Sequence, residues 1–229
     1  MTVRPPERRP WYRQRWNTIV AGFAFAFLAG MAFAYWIHIH GEWKHGLGWE
    51  RTLLERAHVS LPRWLDAIVF VMPWLGTNIT LVPLSIGVVL WLWLRLRRHH
   101  EAVYMAVVQL GSSSLNPSLK FLYDRDRPSV IPRRGWYDWA AYPSGHAIAS
   151  VAVLTTLAII LYRVKGWRWP GYVIAPLLIV SLISRLYLGV HWPTDVIGGI
   201  LIGLVWLAFT YYAFRENTRR TVPSVIEAT

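Results

Sequence analysis

No cysteine occurs among the 229 residues. Disulfides and thiolate chemistry are therefore excluded, and any reactive centre must be built from other groups. Charge is scarce too: 16% of residues are charged against 55% hydrophobic, a balance that suits a membrane far better than a water-soluble globule. Acid is scarcer still, with 12 Asp and Glu facing 24 Lys and Arg for a net charge of +12. This excess does not describe a nucleic-acid binder, because the basic residues fall in short clusters between apolar runs and form no continuous stripe. Such clusters fit anionic lipid headgroups as partners. Neither internal repeats nor low-complexity segments are present.

What the sequence has in abundance is apolar length and aromatic rings. The 15 Trp and 11 Tyr are residues that collect where hydrocarbon meets water. Runs long enough to cross a bilayer, which takes about 20 helical residues, lie near residues 17–38, 77–95, 102–122, 146–163, 171–189 and 194–214. The expected fold is all-α: a polytopic bundle of six transmembrane helices. Arg4, Arg8, Arg9, Arg13 and Arg15 precede the first run as in a signal peptide, yet the run is too long and lacks a small-residue cleavage site, so it is expected to stay as an anchor. Residues 50–76 carry an apolar stripe (Leu53, Leu54, Ala57, Leu61, Leu65) among charges, which predicts a helix lying in the interface after the first span. We expect three parts: an N-terminal basic segment, first span and interfacial helix over 1–76, a core with the other five spans over 77–217, and a polar tail over 218–229. With the N-terminus in the cytoplasm, the segments holding Arg95, Arg97 and Arg98, then Arg163, Lys165 and Arg168, then Arg215, Arg219 and Arg220 all fall inside, as the positive-inside bias requires. Both termini are then cytoplasmic.

Three further segments hold polar residues that a membrane protein keeps only for a reason. Lys120 is followed after six residues by Arg127-Pro128; Pro143-Ser144-Gly145-His146 opens the fourth run; Ser184-Arg185 is followed after five residues by His191 and, after three more, by Asp195. On the six-span topology all three lie at outer ends of spans, where two histidines, three cations and a carboxylate can meet.

These segments resemble the three-part signature of the type 2 phosphatidic acid phosphatase superfamily, and every specified position is filled. The resemblance covers about residues 77–214. It implies a hydrolase that removes phosphate from a membrane lipid through a phosphohistidine, with His191 as the attacking residue. Family members act on phosphatidic acid, phosphatidylglycerol phosphate, diacylglycerol pyrophosphate or polyprenyl pyrophosphate. For a small, outward-facing protein of a bacterial inner membrane the expected substrate is undecaprenyl pyrophosphate, with phosphatidylglycerol phosphate beside it.

The residue chemistry agrees. Lys120, Arg127 and Arg185 can clamp the phosphate, since opposite charges about 4 Å apart gain roughly 4 kcal/mol at an effective dielectric near 20, against about 0.3–1 for a helix N-terminus. Ser144 and the backbone N–H groups of Gly145 and His146 add directional hydrogen bonds. Asp195 can accept the second ring N–H of His191 and orient it. His146 fits the acid that protonates the leaving oxygen and later the base that activates water. The histidines stand among cations rather than carboxylates, which argues against a zinc or magnesium centre; no cofactor and no nucleic-acid partner are expected.

Singly, each residue has a plainer reading. Lys120 and Arg127 can snorkel to the interface, Ser144 can be an N-cap, and Asp195 can cap the sixth span behind Pro193. Asp124, Arg125 and Asp126 read as a local charge network beside the clamp, and Gly199 and Gly203 as a helix-packing pair. Trp136, Tyr137, Trp139 and Tyr142 either line a lipid entrance or serve simply as anchors at the membrane interface. A phosphotransferase using the same phosphohistidine, and a non-catalytic lipid phosphate binder or transporter, stand as alternative functions.

Overall fold

The computed structural model describes residues 11–41, 43–57, 62–135 and 139–215, with side chains in the first helix from Arg15 onward. Among these residues the chain is helical, without strands: α1 (Trp11–His40), α2 (Gly48–Ala57), α3 (Arg63–Val71) ending in a 3-10 turn (Met72–Gly76), α4 (Asn78–Leu90) continued by a π turn (Trp91–Arg95), α5 (His99–Leu122), α6 (Gly145–Ala149), a π turn (Ser150–Leu154) and α7 (Thr155–Lys165), α8 (Trp169–Tyr187) and α9 (Pro193–Phe214). Arg4, Arg8, Arg9, Trp136, Tyr137, Arg219, Arg220 and the tail over 218–229 lie outside the described residues.

Among the described residues five rods are long and apolar enough to cross a membrane: Arg15–His40, Asn78–Arg95, Gly145–Lys165, Trp169–Tyr187 and Pro193–Phe214. The remaining long helix, α5, has 24 residues and is about 36 Å long at 1.5 Å per residue, but it is more polar than the others. Its position explains this. It packs against α1, α4, α6 and α9 and buries Gln109, Ser112 and Lys120 among its apolar residues. Polar side chains on such a helix face protein rather than lipid. Ser85 of α4 donates to Gln109 Oε1 at 2.8 Å, and Gln109 Nε2 donates to Ser113 at 2.8 Å.

α9 is the second organising rod, lying along α1 and against α6. A Cβ on Gly199 would stand 2.6 Å from the Ser144 carbonyl oxygen, and one on Gly203 would stand 3.0 Å from that of Ile148. The small-residue pair therefore serves close helix packing, and it presses α9 onto the helix start that carries the second motif.

The two ends of the bundle differ. At one end cations gather on the aromatic rings that close it. Arg15 lies 5.9 Å from the Phe214 ring centroid, Arg163 donates to the Phe214 carbonyl at 3.1 Å, and Lys165 lies 5.8 Å from the Trp91 ring. The other end joins the close of α1, α5 and α8 to the start of α6 and α9.

The segment over residues 50–76, read as an interfacial helix whose following run over 67–75 either extends it or dips into the membrane, is two helices and a 3-10 turn among the described residues. Pro62 caps α3, its carbonyl accepting from Leu65 and Asp66 at 2.9 Å. α3 buries none of its residues, whereas α2 buries Glu50 and Leu54. A fork from Arg134 to Asp66 at 2.5 and 3.0 Å ties α3 to the long loop, and the Tyr187 hydroxyl donates to the same carboxylate at 3.1 Å. The Arg134 hydrogen bonds hold the Asp66 carboxyl below the usual carboxylate range.

Candidate active site

Each motif is delivered by a helix end. Lys120 sits in the last turn of α5, Ser144 at the N-cap of α6, Arg185 in the last turn of α8, and Asp195 in the first turn of α9. Lys120, Ser144, Arg185, His191 and Asp195 are all buried, in contrast to the residues of a solvated charge patch.

The cations converge. Lys120 Nζ donates to the Ala140 carbonyl, and Arg127 reaches the same carbonyl at 3.5 Å while donating to Trp139 at 2.8 Å and Val190 at 2.5 Å. Arg185 Nη1 stands 3.0 Å from His146 Nε2. His191 feels the whole group: burial first, then Arg127, Lys120 and Arg185, push its imidazole well below its ordinary range, with a hydrogen bond to the Ala141 backbone acting the other way. A neutral ring follows at neutral pH, which leaves a lone pair for attack. Its Nδ1 faces Asp195 Oδ2 at 3.5 Å. That contact lies beyond a full hydrogen bond and must shorten by several tenths of an ångström to orient the ring, as catalytic contacts do when substrate binds.

Ser144 occupies the N-cap position, yet its hydroxyl makes no capping bond and has no partner among the described residues. Its backbone N–H donates to the Asp195 carbonyl at 3.0 Å, so the second and third motifs are joined through main chain. Gly145 permits the third approach: a Cβ there would stand 2.5 Å from the Asn116 side chain of α5. The structure thus brings together all eight residues expected at the site: Lys120, Arg127, Ser144, Gly145, His146, Arg185, His191 and Asp195.

Two residues beside the site, Glu50 and Gly76, carry no signal in the sequence, and two others, Arg125 and Tyr142, make contacts that their neighbours along the chain do not suggest. Arg125, read only as part of a local charge network, is buried and joins Asp195 Oδ1 (2.6 Å) to Glu50 Oε2 (2.9 Å). Glu50 comes from α2, far back in the chain, and no spacing signals it. Gly76 is the second of these: a Cβ there would lie 2.4 Å from Ser150 Oγ and 3.4 Å from His146 Cδ2, so the turn after α3 seats against the His146 ring. Tyr142, offered as an entrance residue, is buried, donates to the Gly30 carbonyl at 2.7 Å and packs on Trp43. Trp139 is the exposed member of that aromatic group.

A family model described as PAP2 superfamily matches residues 101–219. The chain belongs to the PAP2 superfamily. Phosphatidylglycerophosphatase B of Bacillus subtilis (strain 168) is 31% identical over 164 residues, covering 69% of this chain and 78% of the relative. The undecaprenyl-diphosphatase BcrC of the same organism is 24% identical over 170 residues, covering 71% and 81%. The crystal structure of a transmembrane PAP2-type phosphatidylglycerolphosphate phosphatase from Bacillus subtilis superposes with a TM-score of 0.72 at 23% identity, covering 87% of this chain and 98% of that one; the fold is shared. This PAP2 protein is a phosphatase-class hydrolase carried in a membrane fold.

Proposed function

We propose that this PAP2 protein is a metal-independent lipid phosphate phosphatase that works through a phosphohistidine at His191, with undecaprenyl pyrophosphate or phosphatidylglycerol phosphate as substrate. The observation that carries this reading is geometric: Lys120 and Arg127 share the Ala140 carbonyl, Arg185 stands 3.0 Å from His146, and the buried His191 faces Asp195 beside them. The names of the relatives support the two substrates. In the reaction, Lys120, Arg127 and Arg185 hold the phosphoryl oxygens, joined by the Ser144 hydroxyl and the N–H groups of Gly145 and His146 at the helix start. His191 Nε2 attacks phosphorus, its new positive charge facing Asp195. The bond to the leaving oxygen breaks and His146 delivers the proton. His146 then takes a proton from water, the resulting hydroxide attacks phosphorus, the P–N bond breaks and inorganic phosphate leaves. The clamp neutralises the charge that develops on the transferred group.

The membrane arrangement belongs to the same proposal. Six spans, α1, α4, α5, α6 with α7, α8 and α9, carry both termini in the cytoplasm of a bacterial inner membrane, with the site at the outer face and α3 in the interface beside it. The exposed Trp64, Phe70 and Trp74 of the α3 region support that placement. The phosphatase core runs over 77–217, preceded by the anchor and interfacial segment over 1–76 and followed by a polar tail.

The test is phosphate release by detergent-purified protein with EDTA present, on undecaprenyl pyrophosphate and phosphatidylglycerol phosphate side by side. Wild type should release phosphate and form an acid-labile phosphoenzyme, and His191→Ala should do neither. Activity retained by the variant overturns the mechanism, and phosphorylated product on added acceptor lipids in place of free phosphate identifies a transferase.

A further inference from the structure

A buried ion-pair network beside the site includes Glu50, a residue that no motif contains. Glu50 uses all of its acceptor capacity on other elements. Oε1 accepts from the Thr194 backbone N–H at 2.9 Å and the Thr194 hydroxyl at 2.6 Å, and Oε2 accepts from Leu47 N–H at 2.8 Å and Arg125 Nη2 at 2.9 Å. Arg125 spends one arm on Glu50 and the other on Asp195 Oδ1 and Thr194 Oγ1, both at 2.6 Å. Its Nε donates to the Trp43 carbonyl at 3.1 Å, and its guanidinium lies 5.4 and 5.7 Å from the ring centroids of Trp43 and Trp192. The side chains of Glu50, Arg125 and Asp195 are fully buried. Two carboxylates on one guanidinium leave a buried negative charge, a costly arrangement unless other cations face it; Lys120, Arg127 and Arg185 surround the adjoining His191.

Asp195 itself is loosely engaged with the residue it serves. Its Oδ2 accepts firmly from Trp192 N–H at 2.8 Å but stands 3.5 Å from His191 Nδ1. The carboxylate is therefore held at Oδ2 by the Trp192 N–H and at Oδ1, from behind, by Arg125, whose other arm is held by Glu50. We propose that Glu50, acting through Arg125, is a positioning residue for the reaction: it fixes where the Asp195 carboxylate stands and thereby the aim of the His191 ring. α2 lies outside the family-matched residues 101–219, so this brace comes from the chain's own N-terminal region. The proposal rests on the phosphohistidine reading.

The experiment uses the full chain in detergent micelles with farnesyl pyrophosphate as probe, comparing wild type, Glu50→Gln, Glu50→Asp, Arg125→Lys and His191→Ala. Glu50→Gln keeps the shape and removes the charge. Its kcat should fall on the order of 100-fold, as expected when a reacting group is misplaced by about an ångström, with KM within about 2-fold. Acid-quenched phosphoenzyme should form correspondingly more slowly. The groups bearing on His191 are Lys120 of α5, Arg127 of the loop, His146 of α6, Arg185 of α8 and Asp195 of α9; removing a negative charge from their surroundings should move the acid limb of kcat/KM to lower pH. Glu50→Asp should restore part of kcat and return the limb. Arg125→Lys, which keeps the charge but loses the fork, should repeat the kcat loss and covers the case in which Glu50→Gln does not fold. Wild-type kcat and limb in Glu50→Gln or Arg125→Lys, with or without a lower melting temperature, overturn the brace. Phosphate release by His191→Ala overturns the phosphohistidine reading itself, whereas an inactive His191→Ala beside a fully active Glu50→Gln removes the brace alone.

Discussion

Both ends of this bundle are rich in arginine, yet they are built differently. At the end where α4 meets α5 and α7 meets α8, Arg98, Arg163 and Arg168 line an open cavity of about 750 Å³ with Tyr162 and Gly166. Arg98 is half exposed, its nearest acid being Glu101 at 4.0 Å. At the other end Arg125 and Arg185 are buried, with hydrogen bonds to a carboxylate or an imidazole. The contrast teaches that the number of cations does not distinguish an exposed basic cluster from a buried one fixed against partners. Burial does, because it removes the water that screens charge and fixes each cation against a partner.

Four changes break or sharpen that comparison. His191→Ala removes the group on which the buried cations bear, and phosphate release should fall by about 10⁴-fold or more, as when a nucleophile is lost from a catalytic set. Arg185→Gln deletes one clamp cation and the partner of His146; a loss of about 10²- to 10³-fold is expected, on the scale of removing one preorganised donor, read in single-turnover phosphate release. The third is pH. An ordinary histidine is half protonated near pH 6.5, but burial and the cations hold His191 well below that range. The ring stays neutral as pH falls through 6.5, so kcat/KM on a lipid pyrophosphate should remain flat there and drop only at lower pH. A half-maximal point at 6.5 or above would show the site end to be as solvated as the other. Smallest is the double change Arg98→Gln with Arg168→Gln. Arg98 lies about 30 Å from Lys120 along α5 by helical rise, several screening lengths away, and Arg168 lines the same cavity as Arg98; turnover should stay within about 2-fold.

The membrane character was legible in composition, because crossing a bilayer demands long apolar runs whatever their order. Among the described residues five of the six runs coincide with helical rods apolar enough to cross a membrane; the run of α5 is helical but more polar, since protein covers it. The convergence of the candidate site's residues was legible because its motifs sit at fixed spacing on helix ends. The stretch over 50–76 was harder: its apolar stripe signalled a helix, but only Pro62 hinted that the stripe was broken in two. Arg125 shows where reading along the chain fails. Beside Asp124 and Asp126 it has acids for neighbours, whereas its partners in space are Glu50 and Asp195, which lie 75 and 70 residues away. Tyr142 fails in the same way, since an aromatic in a loop reads as surface until α1 supplies a carbonyl for its hydroxyl.

By itself the amino-acid order determined that this chain is a helical membrane protein carrying the PAP2 motifs, because both properties reside in residue type and local spacing. Only the tertiary structure decided which cations are buried, which ring nitrogen of His191 faces Asp195, and that a glutamate from α2 stands behind that aspartate. Those facts depend on distances between helices, and burial and hydrogen bonding act through space regardless of separation along the chain.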